Sequence, residues 1–384
     1  MKEVRIGLVG LGNIGARHAA ALAEGRVPRA RLSAVADGNE SRRARFPRVP
    51  GFADVATLAS SGTVDAVVVA TPHFSHVPHG LAALGAGLHV MIEKPLAPHV
   101  AAAQQLLAAP RRPGQVLAAM HNQRSDPVFL NIRRMLGDGA LGTVQRASWT
   151  VTNWFRPDAY YASSAWRASW AGEGGGVLLN QALHNLDLVA WLFGPPRRVR
   201  AHCAFGRHHP IEVEDEVSAW VQWDNGATLT FVTSTGEAPG TNRLEIAGDL
   251  GRLVRENGVS TITRNAVSAA AFSRATAEAF GQPATTTEVL PDPDPVDQHG
   301  LLLANFAAAI LSGAPLVAPA EDAIHAVALA NAMLLSAWQE RTVELPFDAA
   351  VYEQELARRI RTSRPPAIAR RADVIADLDR SFSR

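Results

Sequence analysis

Residues 4–24 contain an apolar segment, a glycine-rich turn and an alanine-rich segment in immediate succession. Positions 4–9 are almost wholly apolar, glycine occupies positions 10, 12 and 15, and alanine dominates residues 16–24. This pattern predicts a strand, a sharp turn and a helix, which form the first βα unit of a parallel sheet. Glycines let the backbone approach a bound phosphate, and the free N–H groups of a helix N-terminus favour it. The expected dinucleotide contacts are Gly10, Gly12, Asn13, Ile14 and Gly15.

The second predicted strand, residues 31–36, ends in an acidic residue. Asp37 lies 22 positions past Gly15. A carboxylate at this distance accepts hydrogen bonds from the adenosine ribose hydroxyls and repels a 2′-phosphate, so it favours NAD over NADP. Arg42 and Arg43 are close enough in sequence to neutralise such a phosphate, which leaves NADP open as the alternative cofactor.

The strand and helix pattern repeats through residues 1–123. Further strands are predicted at 66–70, 88–92 and 116–120, with a turn at 71–76, which indicates a Rossmann domain with a parallel sheet, an α/β fold. Ligands bind beyond the carboxyl ends of such strands. The residues expected there as cofactor contacts are Thr71, Pro72, His76, Glu93, Lys94 and Asn122.

Lys94 is unusual because lysine is rare in this chain. Lys2 and Lys94 are the only lysines among 37 Lys and Arg residues. Arginine keeps its proton at any accessible pH, whereas a desolvated lysine near other positive charge releases its proton far more readily. Lys94 is therefore a candidate proton carrier, with an idle surface lysine as the alternative. The Lys94–Pro95 bond is a candidate cis peptide.

Composition excludes several classes of partner. The chain has 384 residues, of which 47% are hydrophobic and 19% charged, and its net charge is +1. These values are typical of a soluble protein with two domains, and they give no electrostatic footprint for nucleic acid or an anionic membrane. Cys203 is the only cysteine. With no signal-peptide or membrane-spanning pattern, we expect a cytoplasmic protein without disulfides or a thiolate metal site.

A second domain is predicted over residues 124–347, with aromatic residues crowded near its start. Seven aromatic residues fall within the 22 positions of 149–170, interleaved with two arginines. Aromatic faces and fixed donors suit a sugar or cyclitol, and arginine additionally suits an acidic or phosphorylated one. The alternative is that these rings build core or subunit contacts. The expected substrate contacts are Arg124, Trp154, Arg156, Tyr160, Trp166 and Arg167.

A helix is predicted over residues 177–193, closed by Gly194-Pro195. Asn180, His184 and Asp187 share one face of that helix, and the flanking leucines indicate burial. Buried polar groups need partners, which a bound polyol would supply. We expect His184 to act as a base for a hydroxyl proton and Asp187 to orient His184, and we expect Asn180, His184 and Asp187 to contact substrate.

Four motifs in this order resemble the Gfo/Idh/MocA family: Gly10-x-Gly12-x-x-Gly15, Thr71-Pro72-x-x-x-His76, Glu93-Lys94-Pro95 and the block from the glycines at 174–176 to Asp187. The resemblance covers about residues 4–348. It implies a Rossmann domain followed by an α+β domain with a mixed, largely antiparallel open sheet. It also implies action on sugars or cyclitols with a nicotinamide cofactor, and a role for Lys94 beside the transferred hydride.

Asn180 departs from the pattern of inositol dehydrogenase within this family. An aspartate precedes the histidine by four residues there, whereas this chain has an asparagine. An amide cannot take or hold a proton as a carboxylate does, so any proton relay through this position is lost. We expect Asn180 to hydrogen-bond a substrate hydroxyl instead.

The remaining pattern predicts an antiparallel sheet and a helical C-terminus. Strands are expected at 198–205, 216–223, 227–234, 242–247 and 251–256, and helices at 297–311 and 321–339. A sheet covered on one side leaves a face to bury, so we expect a homodimer or homotetramer through it. Residues 348–384 are predicted as a helix and an Arg-rich tail. The scattered histidines and acids suit solvated or capping roles, so no metal site is expected.

Three functions are consistent with these patterns. The first is an NAD(P)-dependent oxidoreductase that transfers a hydride to or from a carbinol carbon of a sugar, glycoside or cyclitol, with Lys94 and His184 flanking that carbon. The second is a redox-assisted glycosidase that uses the same cofactor transiently. The third is a non-catalytic sugar or nucleotide sensor, which would not need Lys94 or His184.

Overall fold

The computed structural model describes residues 2–164 and 166–364, which form two sheets with helices packed against them. The first sheet is parallel, in the order β3-β2-β1-β4-β5-β6. Its strands are β1 (Val4–Val9), β2 (Ala30–Ala36), β3 (Gly51–Phe52), β4 (Ala66–Val69), β5 (His89–Ile92) and β6 (Leu117–Ala119). The long strands are buried on both faces, as parallel strands are when helices cover each side. The predicted Rossmann sheet is confirmed.

Five helices connect these strands, and the first and fourth of them begin earlier than the sequence predicts. They are α1 (Asn13–Ala23), α2 (Glu40–Arg43), α3 (Val55–Ser60), α4 (His73–Gly85) and α5 (Val100–Leu107). A turn is expected over residues 71–76, but α4 already begins at His73. Pro72 precedes it with a φ of −59°, a value suited to a helix start.

The rest of the chain adds more helices and a second sheet. A 3-10 turn covers Asn122–Ser125, and the helices are α6 (Pro127–Gly137), α7 (Asp158–Ala162), α8 (Leu183–Phe193), α9 (Ala269–Ala275), α10 (Gln298–Ser312), α11 (Ala320–Gln339) and α12 (Ala349–Thr362). Helix α12 agrees with the helix expected after residue 348. The Arg-rich end of the predicted tail lies outside the described residues.

The second sheet has the order β14-β13-β12-β11-β7-β10-β9-β8-β15. Its strands are β7 (Val144–Val151), β8 (Arg198–Phe205), β9 (Glu214–Gln222), β10 (Thr228–Ser234), β11 (Asn242–Gly248), β12 (Gly251–Glu256), β13 (Val259–Asn265), β14 (Thr285–Leu290) and β15 (Val343–Glu344). β7 and β10 run parallel and the other neighbours antiparallel, which confirms a mixed, largely antiparallel sheet. β14 is not predicted from the sequence, because this strand is exposed along nearly its whole length and lacks apolar alternation.

Helices α10 and α11 return to the first sheet. Leu302 and Phe306 of α10 join the core that contains β1 residues. Val327, in the first half of α11, packs in the core that contains β4 and β5 residues. Met333, in the second half of α11, belongs to the core beneath the second sheet. Residues from the C-terminal part of the chain therefore complete the packing of the N-terminal sheet.

The segment before α8 differs from the prediction. A helix is expected from residue 177, whereas α8 begins at Leu183. The Glu214 carboxylate accepts hydrogen bonds from the N–H groups of Gly176 at 2.8 Å and Leu178 at 3.0 Å. Because β9 takes these backbone donors, the segment forms turns, and Asn180 lies in a turn instead of on the helix.

A buried ion pair joins the 3-10 turn to α8 and α11. Arg124 is 1% exposed, and its guanidinium donates to both carboxylate oxygens of Asp187 at 2.8 and 2.7 Å. It also donates to Asp322 at 3.0 Å. Since the Arg124–Asp187 pair lies out of water, removal of one partner would leave an uncompensated charge.

Arg124→Met is expected to lower the free energy of unfolding by about 3–5 kcal/mol, because buried Asp187 loses its partner. The midpoint of urea unfolding measures this loss. Arg134→Met is the matched control, since Arg134 forms an exposed pair with Asp138 and should cost less than about 1 kcal/mol. Equal losses in the two variants would contradict a stabilising role for the buried pair.

Candidate active site

A cavity of about 540 Å³ opens beyond the carboxyl ends of the first sheet and reaches the segment between β7 and α8. Most of the residues that the sequence analysis assigns to the site line this cavity. They are Gly10, Gly12, Asn13, Ile14, Asp37, Arg42, Thr71, Pro72, His76, Glu93, Lys94, Trp154, Arg156, Tyr160, Trp166, Arg167, Asn180 and His184. Residues from both halves of the chain thus form one site.

The glycine turn between β1 and α1 is shaped to admit a ligand. Gly10 has a φ of +91°, and a Cβ there would lie 2.6 Å from the Ala70 carbonyl oxygen. A Cβ at Gly15 would lie 2.0 Å from the Gly10 carbonyl oxygen, so only glycine allows the close packing of α1 against the turn. Gly15 itself does not line the cavity. A Cβ at Gly12 would meet nothing within 4 Å. Open space at Gly12, next to a helix N-terminus, fits the pyrophosphate of a dinucleotide.

Asp37 follows β2 and lines the same cavity. Its carboxylate accepts hydrogen bonds from the N–H groups of Leu11 at 2.7 Å and Asn39 at 2.8 Å, which ties the glycine turn to β2. The Arg42 guanidinium lies 3.6 Å from this carboxylate. The carboxylate suits ribose hydroxyls, and Arg42 lies where a 2′-phosphate would need a counter-charge.

His76 joins the loops that follow β4 and β5. Its ring nitrogens lie 2.7 Å from the carbonyl oxygen of Pro95 and 2.7 Å from that of Thr71. Burial lowers the pKa of His76 below its usual value, although the two carbonyl oxygens favour the protonated ring. The Lys94–Pro95 bond is cis, as predicted. The His76 contacts hold the loop that carries Lys94.

The Lys94 side chain crosses the cavity to the turn before α8. Its ammonium donates to the Asn180 carbonyl oxygen at 2.8 Å and to the Asn180 side-chain oxygen at 3.2 Å. Burial lowers the pKa of Lys94 to about 8; Glu93 opposes this shift and Arg167 adds to it. Near neutral pH, Lys94 is therefore able both to donate and to accept a proton.

Glu93 supports Lys94 from the first domain. One carboxylate oxygen lies 2.7 Å from His18 Nε2, and the other accepts a hydrogen bond from the Lys94 backbone N–H at 3.1 Å. Burial acts to raise the pKa of Glu93, but the contact with His18 outweighs it and the pKa lies below its usual value. The ionised carboxylate thus fixes the loop.

Glu173 is a residue of the site that the sequence analysis missed. The Asn180 amide group donates to the Glu173 carboxylate and, at 3.2 Å, to the Tyr160 hydroxyl. The side chain of Asn180 therefore links the Lys94 ammonium to a carboxylate. Burial raises the pKa of Glu173. Glu173 stands before a run of glycines, and no periodic pattern marks it as a partner of Asn180.

His184 lines the cavity from the first turn of α8 and is 7% exposed. Within the described parts of the chain, its Nδ1 has no hydrogen-bond partner. Burial, and then the positive charge of Lys94, place the pKa of His184 well below its usual value. The ring is neutral at pH 7 and is able to accept a proton or a hydrogen bond from a ligand.

Asp187 does not orient His184 as the sequence analysis expects. It binds Arg124, and its Oδ2 lies 3.6 Å from Nδ1 of His121. Neither Asp187 nor Arg124 lines the cavity, so the expectation that they contact substrate is not met by this structure. Helical spacing indicates which face of α8 carries Asp187, but not which groups lie opposite that face.

Other residues also differ from their expected places. Asn122, an expected cofactor contact, is buried away from the cavity lining and donates to Gln298 at 2.8 Å. His73, Gln181 and His299 line the cavity without having been assigned to it. His73 and Gln181 each follow an assigned residue, whereas His299 comes from α10, and only the fold shows that these side chains reach the cavity.

Across 2–164 and 166–364, no group of three or more His, Cys, Asp or Glu side chains is placed to hold a metal ion. No helix in these ranges has the length and hydropathy needed to cross a membrane.

The sequence matches two models of one protein family. Residues 4–121 match the model described as "Oxidoreductase family, NAD-binding Rossmann fold", and residues 129–254 match the "GFO/IDH/MocA C-terminal domain". Together the two matches cover more than half of the chain. The chain therefore belongs to the Gfo/Idh/MocA oxidoreductase family, and its N-terminal sheet is an NAD-binding Rossmann fold.

Relatives differ in how much of the chain they match. Inositol 2-dehydrogenase of Rhizobium meliloti (strain 1021) is 25% identical over 349 residues, or 89% of this chain and 99% of that protein. The uncharacterized oxidoreductase YdgJ of Escherichia coli (strain K12) is 32% identical over 195 residues, or 50% of this chain and 55% of YdgJ. The chain thus spans about half the length of YdgJ and of other relatives that it matches.

A solved structure of a dehydrogenase is similar to this chain over most of its length. The WlbA dehydrogenase from Bordetella pertussis, in complex with NADH and UDP-GlcNAcA, has a TM-score of 0.75 and 25% sequence identity to this chain. The superposition covers 90% of this chain and 100% of the other.

Gly12→Ala is expected to fold normally but to weaken NADH binding about tenfold, or about 1.4 kcal/mol, because a methyl group enters the space of the pyrophosphate. Unlike Gly12→Ala, the variant Gly15→Ala should lower the midpoint of thermal unfolding, since its Cβ would lie 2.0 Å from the Gly10 carbonyl oxygen. Fluorescence titration with NADH and thermal melts measure the two effects. Gly85→Ala, with nothing within 4 Å of its Cβ, is the control. Unchanged NADH affinity in Gly12→Ala would place the nucleotide elsewhere.

Proposed function

We propose that this protein is an NAD-dependent oxidoreductase that transfers a hydride between the nicotinamide and a carbinol carbon of a sugar, glycoside or cyclitol. The observation that carries the proposal is the shared cavity, in which Lys94 and His184 stand beyond the glycine turn. A relative named for inositol and a structural neighbour bound to NADH and UDP-GlcNAcA support the substrate class. A chain with a single cysteine suits a reducing compartment, so we still predict a cytoplasmic location.

The residues that line the cavity indicate which side chains would bind each part of the cofactor. NAD, when bound, supplies the nicotinamide carbon that accepts or donates the hydride. Gly12 and the N-terminus of α1 would hold its pyrophosphate, and Asp37 would bind the adenosine ribose. Residues 1–123 are thus the nucleotide-binding domain in this proposal, and residues 124–347 the domain for substrate and oligomer contacts. NADP is the alternative that Arg42 permits.

In this proposal Lys94 moves the hydroxyl proton. Its pKa of about 8 keeps both protonation states populated near neutral pH, which suits a group that gives and takes a proton. The two oxygens of Asn180 hold the ammonium in place. His184 is neutral, and its unpartnered Nδ1 is available for a hydroxyl of the substrate.

Asn180 acts here as a positioning group. An amide does not ionise, so the proton cannot pass through it. The Glu173 carboxylate binds the amide nitrogen, which turns the amide oxygen toward Lys94. The chain thus keeps a carboxylate near the ammonium although the aspartate of the inositol dehydrogenase pattern is missing at position 180.

We infer that the second sheet pairs with a second copy of the chain. On β8 and β9, Val199 and Val217 are buried, whereas Phe205 and Trp220 are 39% and 37% exposed. These two exposed residues line a groove of about 760 Å³ that also includes Thr230 of β10. Exposed aromatic side chains on a sheet, here beside polar residues such as Arg200 and His202, are typical of a subunit contact and support a homodimer or homotetramer.

The purified protein is expected to reduce NAD when offered a panel of inositols, aldoses and glycosides. The oxidation rate should rise through about pH 8, because only neutral Lys94 accepts the hydroxyl proton. Lys94→Met should lower kcat by about 10²–10⁴-fold while NADH still binds. Absorbance of the reduced nicotinamide measures the rate.

Lys2→Met removes the only other lysine and is the matched control, expected to keep wild-type turnover. Full turnover by Lys94→Met would refute its role in proton transfer. Cleavage of a glycoside without net NADH would favour the redox-assisted glycosidase. Ligand binding without turnover of any kind would favour the sensor.

Trp220→Glu is expected to convert the oligomer to a monomer, since it removes the exposed aromatic ring and leaves a charge in the proposed contact. Size-exclusion chromatography with light scattering measures the mass. Leu130→Glu is the control, because Leu130 is 46% exposed on α6 and outside this groove. A monomeric wild-type protein would contradict the inference.

A further inference from the structure

Two arginines share one aromatic ring in the cavity wall. Both guanidinium carbons face Tyr160: that of Arg156 lies 5.2 Å from the ring centre and that of Arg167 lies 4.4 Å from it. Arg156 also lies 5.5 Å from the ring of Trp154, and Arg167 lies 4.6 Å from that of Trp166. Each guanidinium is thus held by two aromatic rings, which restricts its orientation before any ligand binds.

These arginines belong to the same end of the cavity as Lys94. Arg167 donates to the Tyr160 hydroxyl, which also accepts a hydrogen bond from Asn180, the residue that binds the Lys94 ammonium. The buried Nε of Arg167 has no hydrogen-bond partner in the described parts of the chain. Three cationic side chains therefore surround the space where a substrate would lie.

The carboxylates described near this end do not balance the three cations. Glu93 is bound by His18, and Glu173 is bound by the Ala168 N–H at 2.8 Å and lies 3.8 Å from Arg167. Burial raises the pKa of Glu173, while Arg167 opposes this shift. Burial also lowers the pKa of Arg156, with Arg167 adding repulsion. Excess buried charge of one sign costs free energy that a bound anion would recover.

The pyrophosphate of the cofactor does not account for this charge. Its place is the open space at Gly12 and the N-terminus of α1, which satisfy a phosphate without arginine. The contacts of Arg156 and Arg167 run instead to Tyr160 and Glu173, in the half of the chain that supplies His184. The positive charge is therefore directed at the second ligand.

We propose that the substrate carries an oxyanion, either a carboxylate or a phosphate, which binds to Arg156 and Arg167 while its carbinol carbon faces Lys94. The proposal rests on the proposed function and narrows its substrate class to acidic or phosphorylated sugars and cyclitols. An arginine fork binds either oxyanion through two parallel hydrogen bonds, so carboxylate and phosphate share the recognition chemistry.

The test measures ligand binding to the full-length protein loaded with NADH. D-Glucose, D-glucuronate and D-glucose 6-phosphate form one matched set, and myo-inositol and myo-inositol 1-phosphate form another. Isothermal titration calorimetry is expected to show that at least one anionic ligand binds about tenfold or more tightly than its neutral parent, the size of a charge-assisted hydrogen bond. The glucuronate and phosphate arms identify which oxyanion is preferred.

Arg156→Gln and Arg167→Gln should each remove about tenfold of the anionic preference and leave the affinity for NADH unchanged. Arg133→Gln is the matched control, since Arg133 stacks on Trp191 at 4.2 Å, outside the cavity, and should change neither affinity. Arg167→Lys keeps the charge without the fork, and its intermediate affinity would show that a loss in Arg167→Gln is not misfolding.

Equal affinity for neutral and anionic ligands would overturn the proposal, as would an anionic preference that survives both glutamine variants. Failure of every anionic ligand to saturate the protein below about 10 mM would also overturn it. Weakened NADH binding in both variants would assign the arginines to the cofactor instead. Turnover of neutral sugars without an anionic preference refutes this inference alone, whereas anion binding without turnover refutes the oxidoreductase.

Discussion

The hydrogen bonds from the Lys94 ammonium to Asn180 are the contact on which the site depends. They join the loop after β5 to the turn before α8, and the cavity lies between these segments. Each partner is fixed from its own side, Lys94 by Glu93 and Asn180 by Glu173. The ammonium thus loses enough hydration to bring its pKa to about 8, while the two acceptors keep it in one orientation.

The nucleotide-binding half of the site could be predicted because its signals are local. The glycines of the turn, the acidic residue after β2 and the rare lysine after β5 each stand next to the element that positions them. The start of α8 could not be predicted. The backbone N–H groups of the preceding turn donate to Glu214, which lies 38 residues from Gly176, and no local pattern shows this competition with a helix.

Partners across the two halves were the hardest part of the site to predict. Helical spacing places Asp187 on the buried side of α8, and this much is correct. Its partner is Arg124, which comes from the 3-10 turn after β6, so the carboxylate that was expected to orient His184 neutralises an arginine instead. Glu173 could not be predicted for a related reason. It meets Asn180 within a segment of turns, where the spacing between contacting residues follows no regular period.

Helix α11 belongs to two hydrophobic cores at once, with its first half against the N-terminal sheet and its second half beneath the other sheet. Neither core can lose its part of this helix without exposing apolar surface in the other. We therefore expect the two halves of the molecule to unfold together as one cooperative unit. Occupancy of the nucleotide site would accordingly raise the thermal resistance of the distant sheet, with no ligand contact there.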